Sequence, residues 1–352
     1  MRRCLLLLNL GLCLAPLARA DQVDDLVHGM MLKHPVPGLA LEIIQDGQCT
    51  KRAAYGIANL EWQAPVTTDT VFEIGSVTKQ FTAAGILLLA QDGKLSLDDR
   101  ISQHLRQTPA SWQDITLRHL LTHTSGLRNY TVLNGFEMTK HLTQAQFIQQ
   151  MAGYPLEFPP GDKWHYCNSG FNLLAYIIEN VSGTNYWQFM GERIFGPLGM
   201  AATTNRDPRF IIPRRASGYE TNAAGRYINR DYDLTELFGA GAIVSTVDDL
   251  AKWNAGLDSQ KILNAASEKE MWTPLLLNNG QKHDYGFGWF LDPWHGHQDI
   301  GHSGVTSGFS ASIQRFPKDK LAVIVLTNSN EEGIATQIAR EIALLYFTPA
   351  TR

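Results

Sequence analysis

Apolar residues follow two rhythms in this chain, strand-like near both ends and helix-like through the middle. Leu39-Ala-Leu-Glu-Ile-Ile44 and Cys49 to Ala58 read as two strands joined at Gln45-Asp-Gly-Gln48, where Asp-Gly predicts a hairpin turn. The same texture returns at Tyr285 to Leu291, Gln298 to Gly301, Gly308 to Phe316 and Leu321 to Asn328, with Pro317-Lys-Asp-Lys320 as the last tight turn. Between these ends, three-to-four-residue spacing predicts helices at Thr78–Gln91, Leu117–Leu121, Gln144–Ala152, Gly170–Val181 and Thr246–Ala255. An amphipathic helix from Asp21 to His34, stopped by Pro35-Val-Pro-Gly38, opens the pattern, and Gly333 to Tyr346 closes it.

Strands at both ends around a helical middle predict one discontinuous α/β (α+β) domain. Its antiparallel sheet is built from sequence-distant ends, about residues 21–75 and 285–352, and a helical region of about 76–284 is inserted between them. No repeat, low-complexity tract or Pro/Ser linker divides the chain. A length of 352 residues with 44% hydrophobic and 18% charged residues allows a large core and argues against disorder.

The first twenty residues depart from this pattern. Arg2 and Arg3 precede the apolar run Cys4 to Leu17, and Ala18-Arg19-Ala20 offers small residues before Asp21, which reads as a signal peptide cut after Ala20. The expectation is an exported protein, periplasmic or secreted. Leu10-Gly11-Leu12-Cys13 resembles a lipoprotein processing site, but Leu12 is bulky where a small residue belongs. The run is too short for a span of roughly 20 apolar residues, and no second one follows, so no integral membrane span is expected after processing.

Loss of Arg2, Arg3 and Arg19 takes the formal charge from −4 to −7, and no Lys/Arg cluster tracks a phosphate backbone, so nucleic acid is not an expected partner. A monomer acting on a small-molecule or peptide substrate, without cofactor, is the expectation. Of four cysteines only Cys49 and Cys167 lie beyond the leader. Two cysteines make no disulfide framework, and two buried thiols are expected, with pairing as the alternative.

Candidate chemistry begins at Ser76-Val-Thr-Lys79, where a loop becomes an apolar helix. Residues three apart on a helix share a face at about 5 to 6 Å, so the Lys79 amine reaches the Ser76 hydroxyl. At the helix start Ser76 also keeps a backbone N–H for a developing oxyanion. Alone, the tetrapeptide reads as an N-capping Ser followed by a surface Lys. Further phrases decide the matter: Tyr166-Cys-Asn168 leading into a helix, Gly301-His302-Ser303-Gly304-Val305 on an edge-like strand, Leu120-Leu-Thr-His-Thr-Ser-Gly-Leu127, Phe195-Gly-Pro-Leu-Gly-Met200 and Gly239 to Leu250.

This ordered set resembles the family of class C β-lactamases, serine D-Ala-D-Ala carboxypeptidases and related esterases and aminopeptidases, from about Val36 to Asn328. The resemblance implies a β-lactamase/transpeptidase-like fold, with an active-site groove between the sheet and an all-helical region. It also implies an acyl-enzyme mechanism carried by Ser76, Lys79, Tyr166 and the His302-Ser303-Gly304 strand. His302 stands where β-lactamases of the family usually place lysine, which weakens the case for a dedicated β-lactamase.

Each position carries its own chemistry. To act as a base, Lys79 must fall from about 10.4 towards neutrality, a cost of roughly 4 kcal/mol that burial can impose, so a buried Lys79 is expected. Tyr166 supplies a second proton shuttle, donating to the leaving group if Lys79 holds it partly ionised. Asn168 suits binding a substrate amide and fixing Lys79, or else caps the following helix. Gly304 lets substrate lie close to the strand, Val305 N–H is the second oxyanion donor, and Ser303 lines the site. His302, with a reference pKa near 6.5, is expected to make substrate binding pH-sensitive. His123 is expected to end a helix with Gly126 at C′, and Phe287 or Trp289 to favour an apolar group near the groove.

The leading function is an exported serine hydrolase, a D-Ala-D-Ala carboxypeptidase or penicillin-binding-type peptidase or a β-lactamase-related hydrolase. Alternatives are a carboxylesterase of the same fold, a penicillin-binding sensor that does not turn over, and metal-assisted hydrolysis through His295, His297 and His302. No Gly-x-Ser-x-Gly elbow supports an α/β-hydrolase, and no H-E-x-x-H or cysteine-pair spacing supports zinc. The loops Asn129–Leu142 and Arg206–Leu237 are expected to shape the groove.

Overall fold

The computed structural model describes residues 14–134, 136, 142–230, 233 and 235–347. Residues 1–13 of the expected leader, and parts of both expected groove loops, lie outside the described residues. In chain order the elements that build the site are α1 (Leu14–Lys33), β1 (Gly38–Gln45), β2 (Gln48–Asn59), β3 (Ala64–Pro65), β4 (Phe72–Glu73), α2 (Thr78–Gln91), α3 (Leu117–Leu121), α4 (Gln144–Ala152) and α5 (Asn168–Ser182). They continue with β5 (Thr204–Asn205), β6 (Ile243–Ser245), α6 (Val247–Asp258), β7 (Ile300–Thr306), β8 (Phe309–Phe316), β9 (Leu321–Thr327) and α7 (Ile334–Tyr346).

The main sheet runs β7-β8-β9-β1-β2-β3, antiparallel throughout. Its centre is the pairing of β1 with β9, Leu39 opposite Thr327 through Gln45 opposite Leu321, so the two chain ends are joined as expected. β1 is buried apart from Gln45 and β9 throughout, because both sheet faces are covered; that is why they read as unbroken apolar runs and not as alternating ones. The hairpin between β1 and β2 turns at Asp46 and Gly47, both at positive φ (51° and 73°), as a tight Asp-Gly turn requires.

One face packs Leu39, Leu41, Ile43, Val323 and Val325 against Val23 and Val27 of α1 and Ile338 and Ile342 of α7. The opposite face, with Ala40, Ile313 and Ile324, joins the core of the helical region. At the centre of that region lies α2, buried on every side from Thr78 to Leu89. Such a helix has no solvent face and belongs in the middle of a large core. α4 starts on a Thr143/Gln146 capping box and α5 ends on Gly183 at φ 78°, which explains their clean limits in the sequence.

Three elements differ from the sequence reading. Tyr285–Leu291 is not a strand: Gly288 sits at φ 77°, and only the isolated bridges Tyr285–Phe290 and Phe290–Gly301 form. A Cβ at 288 would lie 2.8 Å from Lys79 O, so this glycine serves a close backbone approach to α2. The middle also holds a small sheet, β4-β6-β5, whose two- and three-residue strands are too short to show a period. Finally, α1 begins at Leu14, within the apolar leader run. Among the described residues no helix is long and apolar enough to cross a membrane.

Candidate active site

Ser76 lies in a single 3₁₀ turn, Gly75–Val77, that runs into α2. The α2 N-cap is Val77, without a side-chain bond, so the Ser76 hydroxyl is not used as a helix cap. Nor is Lys79 a surface lysine: it is 0% exposed. The turn is pressed against β7. A Cβ at Gly304 would lie 1.9 Å from Ile74 O and 2.8 Å from Ser76 N, and one at Gly75 (φ 49°) would lie 2.9 Å from Val305 N. Glycine at both positions is what lets the two backbones meet.

Lys79 Nζ has three neighbours: Asn168 Oδ1 at 2.8 Å, Ala240 O at 2.8 Å and Ser76 Oγ at 3.0 Å. A neutral amine has two N–H donors and one lone pair. The two pure acceptors take both donors, which leaves the lone pair for the Ser76 hydroxyl. Burial holds the Lys79 pKa well below that of an ordinary lysine, favouring this neutral form. Once protonated, the ammonium still finds three acceptors in place. The Ala240 carbonyl reaches the amine because Gly239 packs tightly on α5, where a Cβ would stand 2.6 Å from Phe171 O.

Asn168 is the first residue of α5, whose N-cap is Cys167, so the expected capping role is not observed. Its Nδ2 donates instead to Thr131 Oγ1 at 3.1 Å, which orients Oδ1 towards Lys79. Tyr166 lays its ring 4.7 Å from Lys79 Nζ. Its buried hydroxyl has no hydrogen-bond partner of normal geometry, although it lies near enough to Ser76 for that hydroxyl to pull its pKa down a little. Burial dominates and pushes the phenol up, which favours a neutral hydroxyl over the partly ionised phenol considered from sequence.

β7 is the sheet edge. Gly301 exchanges backbone bonds with Phe290 (2.8 and 3.0 Å), so its N–H and C=O face away from β8. By the two-residue alternation of an antiparallel ladder, Ser303 and Val305 present their N–H and C=O groups to the same outer side, towards the Ser76 turn. Behind them Glu73, 1% exposed, accepts from Thr306 Oγ1 at 2.8 Å and from Arg206 Nε at 3.2 Å. One carboxylate thus ties the strand that leads into Ser76 to the strand that carries Val305.

His302 differs from expectation. It is 2% exposed, and burial, then Lys79, push its pKa down to about 3. That shift favours the neutral ring near neutral pH and argues against the pH-sensitive binding expected of it. His123, also buried and pushed well below its ordinary value, holds the left-handed C′ position after α3 itself (φ 59°), while Gly126 lies further along against Phe158 O. Cys167 N lies 3.1 Å from His123 Nδ1, His123 Nε2 lies 3.1 Å from Tyr285 Oη, Tyr285 Oη lies 3.2 Å from His302 Nε2, and His302 Nδ1 lies 2.6 Å from Ser303 O.

Other expected features fall elsewhere. Phe287 and Trp289 are buried against Arg118 and against Met271 and Trp272, not along the groove. Trp164, Tyr285 and Phe290 stand around the Tyr166–His302 pair instead. His297 pairs with Asp319 at 2.9 Å and stacks on Phe347, while His295 packs on Trp294. Among the described residues no group of three or more potential ligands gathers. Cys167 is buried as expected, but Cys49 is exposed, and the two are unpaired. Sequence reasoning missed Glu73, Ala240, Tyr285 and Thr306 as site supports. Ala240 lies between Gly239 and Gly241 of a quoted phrase, the only signal it carried.

The match of the β-lactamase family spans residues 23–347. Penicillin-binding protein 4* of Bacillus subtilis (strain 168) is 31% identical over 319 residues, covering 85% of this chain and 70% of its own length. Protein flp of Staphylococcus aureus (strain MW2) is 28% identical over 89% of this chain, which spans 64% of flp. Among solved structures, the octameric penicillin-binding protein homologue from Pyrococcus abyssi superposes with a TM-score of 0.81 at 28% identity, over 92% of this chain and 77% of that one. D-amino acid amidase from Ochrobactrum anthropi SV3 gives 0.79 at 26% identity, over 92% and 98%. With a family match over nearly its whole length, this chain belongs to the β-lactamase family.

Proposed function

We propose that the protein is an exported serine hydrolase that cleaves an amide or ester through a Ser76 acyl-enzyme, a penicillin-binding-type peptidase or amidase. The observation that carries this reading is the Lys79 bonding pattern: two carbonyl-type acceptors hold its N–H groups and leave a lone pair on the nucleophile. Ser76 Oγ attacks the substrate carbonyl carbon while its proton passes to Lys79 Nζ. The oxygen, now negative, rests between the Ser76 and Val305 N–H groups, an arrangement typically worth about 10²- to 10³-fold per donor. Collapse breaks the bond to the leaving group, which takes a proton from Tyr166 Oη, and Lys79 restores that proton to the phenol. Water then repeats the sequence in reverse and frees Ser76.

Residues 21–352 act as one catalytic unit in this reading, and export rests on the Arg2-Arg3, apolar and Ala18-Arg-Ala20 pattern. The alternative, a carboxylesterase of the same fold, uses the same groups, and a His302 held neutral suits an uncharged ester. The sensor alternative is weighed by turnover.

Intact-mass detection with p-nitrophenyl esters, a chromogenic cephalosporin and D-Ala-D-Ala peptides tests the proposal. The expected outcome is a covalent adduct and turnover in the wild type, both absent in Ser76→Ala. Turnover that persists in Ser76→Ala overturns it, and an adduct without turnover favours the sensor.

A further inference from the structure

Large apolar side chains stand in water together on one flank of the molecule. The loop Pro208–Arg215 carries Phe210 at 64% and Ile211 at 94% exposure, the hairpin of Tyr219–Thr221 and Tyr227–Asn229 carries Tyr227 and Ile228, both exposed, and Trp62 stands at 84% between loop and hairpin. The contacts of the Trp62 turn join the two. Asn59 Oδ1 accepts from Trp62 N at 2.7 Å, Asn59 Nδ2 donates to Ser217 Oγ at 2.9 Å, and Asn59 lines one hollow with Phe210, Ile211 and Arg215. On the other side, Glu61 accepts from Tyr219 Oη at 2.7 Å and from Asn229 Nδ2 at 3.0 Å. Single exposed apolar residues are ordinary on a protein surface, whereas a gathering of them marks a contact. The loop is a built turn. Asp207, 4% exposed, accepts from Arg209 N and Nε at 2.9 Å, Phe210 N donates to Asp207 O at 3.1 Å, and Pro208 and Pro213 stiffen the two ends, so the fold itself holds Phe210 and Ile211 outward.

Arginine accompanies each apolar pair. Arg214 follows Phe210 and Ile211, and Arg226 precedes Tyr227 and Ile228; both are exposed, and neither has an ion-pair partner among the described residues. The acids nearby are engaged already. Asp207 holds Arg209, Asp233 accepts from Thr235 N at 2.9 Å and Thr235 Oγ1 at 2.6 Å, Glu61 is bonded as above, and Glu220 pairs with Arg230 at 2.5 Å. In a chain of formal charge −4, this flank thus sets unpaired positive charge beside exposed apolar groups. We infer that it docks on an anionic lipid surface, with Trp62, Phe210, Ile211 and Ile228 entering the headgroup boundary and Arg214 and Arg226 meeting the lipid phosphates. Apolar side chains gain by leaving water there, indole and phenol rings suit the boundary, and each arginine gains from the negative surface potential. A protein partner needs one broad packed contact, whereas these groups stand on three separate turns with arginine among them, a spacing that suits a soft layer. Arg206, at the root of the loop, donates to Glu73 in the strand that leads into Ser76, so docking keeps the proposed active site beside the bilayer. The docking does not depend on the acyl-enzyme chemistry.

Flotation of the full chain with unilamellar vesicles tests the docking, using phosphatidylcholine alone and phosphatidylcholine mixed equally with phosphatidylglycerol. The wild type is expected to bind the anionic vesicles about 10-fold or more tightly than the neutral ones, and to lose that margin as salt rises past about 0.1 M, where charges are screened within about 10 Å. Ile211→Asp, and separately Arg214→Gln combined with Arg226→Gln, are each expected to weaken anionic binding about 10-fold. Brominated acyl chains are expected to quench Trp62 fluorescence, assigned by its loss in Trp62→Phe. The apolar leader run is common to every variant and holds no tryptophan, so the differences and the quenching report the flank alone. Far-UV circular dichroism, not activity, checks the fold of each variant, and p-nitrophenyl acetate turnover without lipid is expected to be the same in all of them. Equal binding to both vesicle types, binding unmoved by Ile211→Asp or by loss of the two arginines, or an unquenched Trp62 each overturns the inference and leaves the Ser76 mechanism standing. Self-association without lipid that Ile211→Asp abolishes overturns it in favour of a second copy of the chain. Failure of Ser76 acylation with the vesicle results intact overturns the mechanism instead.

Discussion

Lys79 sits where burial penalises its charged form, and that penalty acts on stability and on rate with the same sign. Its folded pKa lies below the unfolded value near 10.4, so between the two the unfolded chain binds a proton that the folded chain does not. Stability therefore falls as pH falls through that window, by about 1.4 kcal/mol per pH unit. Lys79→Met removes this loss, and its melting temperature relative to wild type is expected to be more favourable at pH 6.5 than at pH 9.5; an equal difference at both would contradict a neutral buried amine. The rate follows the same proton. kcat/KM for a neutral ester is expected to rise with pH through the depressed Lys79 pKa and then level, without an inflection from His302, and Lys79→Met to lower it by about 10²- to 10⁴-fold. The burial of Lys79 was legible in the sequence because the chemistry beside Ser76 demands it. The silence of His302 was not, because residue type gives a reference pKa while burial and ring partners, here Tyr285 and His123, come from segments far apart in the chain.

At the scale of elements, the site is made by pressing a 3₁₀ turn onto a sheet edge, and two side-chain facts govern how closely they meet. Gly304→Ala would place a methyl 1.9 Å from Ile74 O, which β7 can relieve only by moving away from Ser76 N. Steady-state assay with p-nitrophenyl acetate is expected to show kcat/KM lower by about 10²-fold or more, the scale of one lost oxyanion donor. Thr306→Val keeps shape and removes the hydroxyl from Glu73, leaving the carboxylate to Arg206. Its expected cost is about 1 to 3 kcal/mol of stability by denaturant titration, together with a fall in kcat that Thr306→Ser restores. Restored stability without restored kcat would separate the tie from the oxyanion geometry. Most helices were readable because α4 and α5 carry caps and α2 an unbroken apolar run. Tyr285–Leu291 was misread because aromatic alternation imitates a strand, whereas Gly288 is there to let the turn touch the α2 backbone.

For the whole molecule, joining the chain ends through β1 and β9 predicts that neither half of the proposed active site is lost alone. Ser76, Lys79, Asn168 and Ala240 belong to the inserted region, while Ser303 and Val305 belong to the terminal sheet, and α2 is buried in the core the two share. Ile338 lies on the far side of the sheet, in the core formed by α1, α7, β1 and β9. If the sheet and the inserted helices unfolded independently, Ile338→Ala would lower the stability of the sheet alone and leave a helical unit melting at its original midpoint. A shared core predicts otherwise: the cavity left by a fully buried isoleucine costs about 2 to 5 kcal/mol, and that cost is drawn from the whole domain. Denaturant titrations of wild type and Ile338→Ala, followed by far-UV circular dichroism and by residual acylation of Ser76, are expected to give one transition each. Both probes should move together to a lower midpoint with little change in slope. A second transition in the variant, or acylation lost before the helical signal, would mean that the inserted region holds itself together and that the groove is an interface between two independently stable bodies.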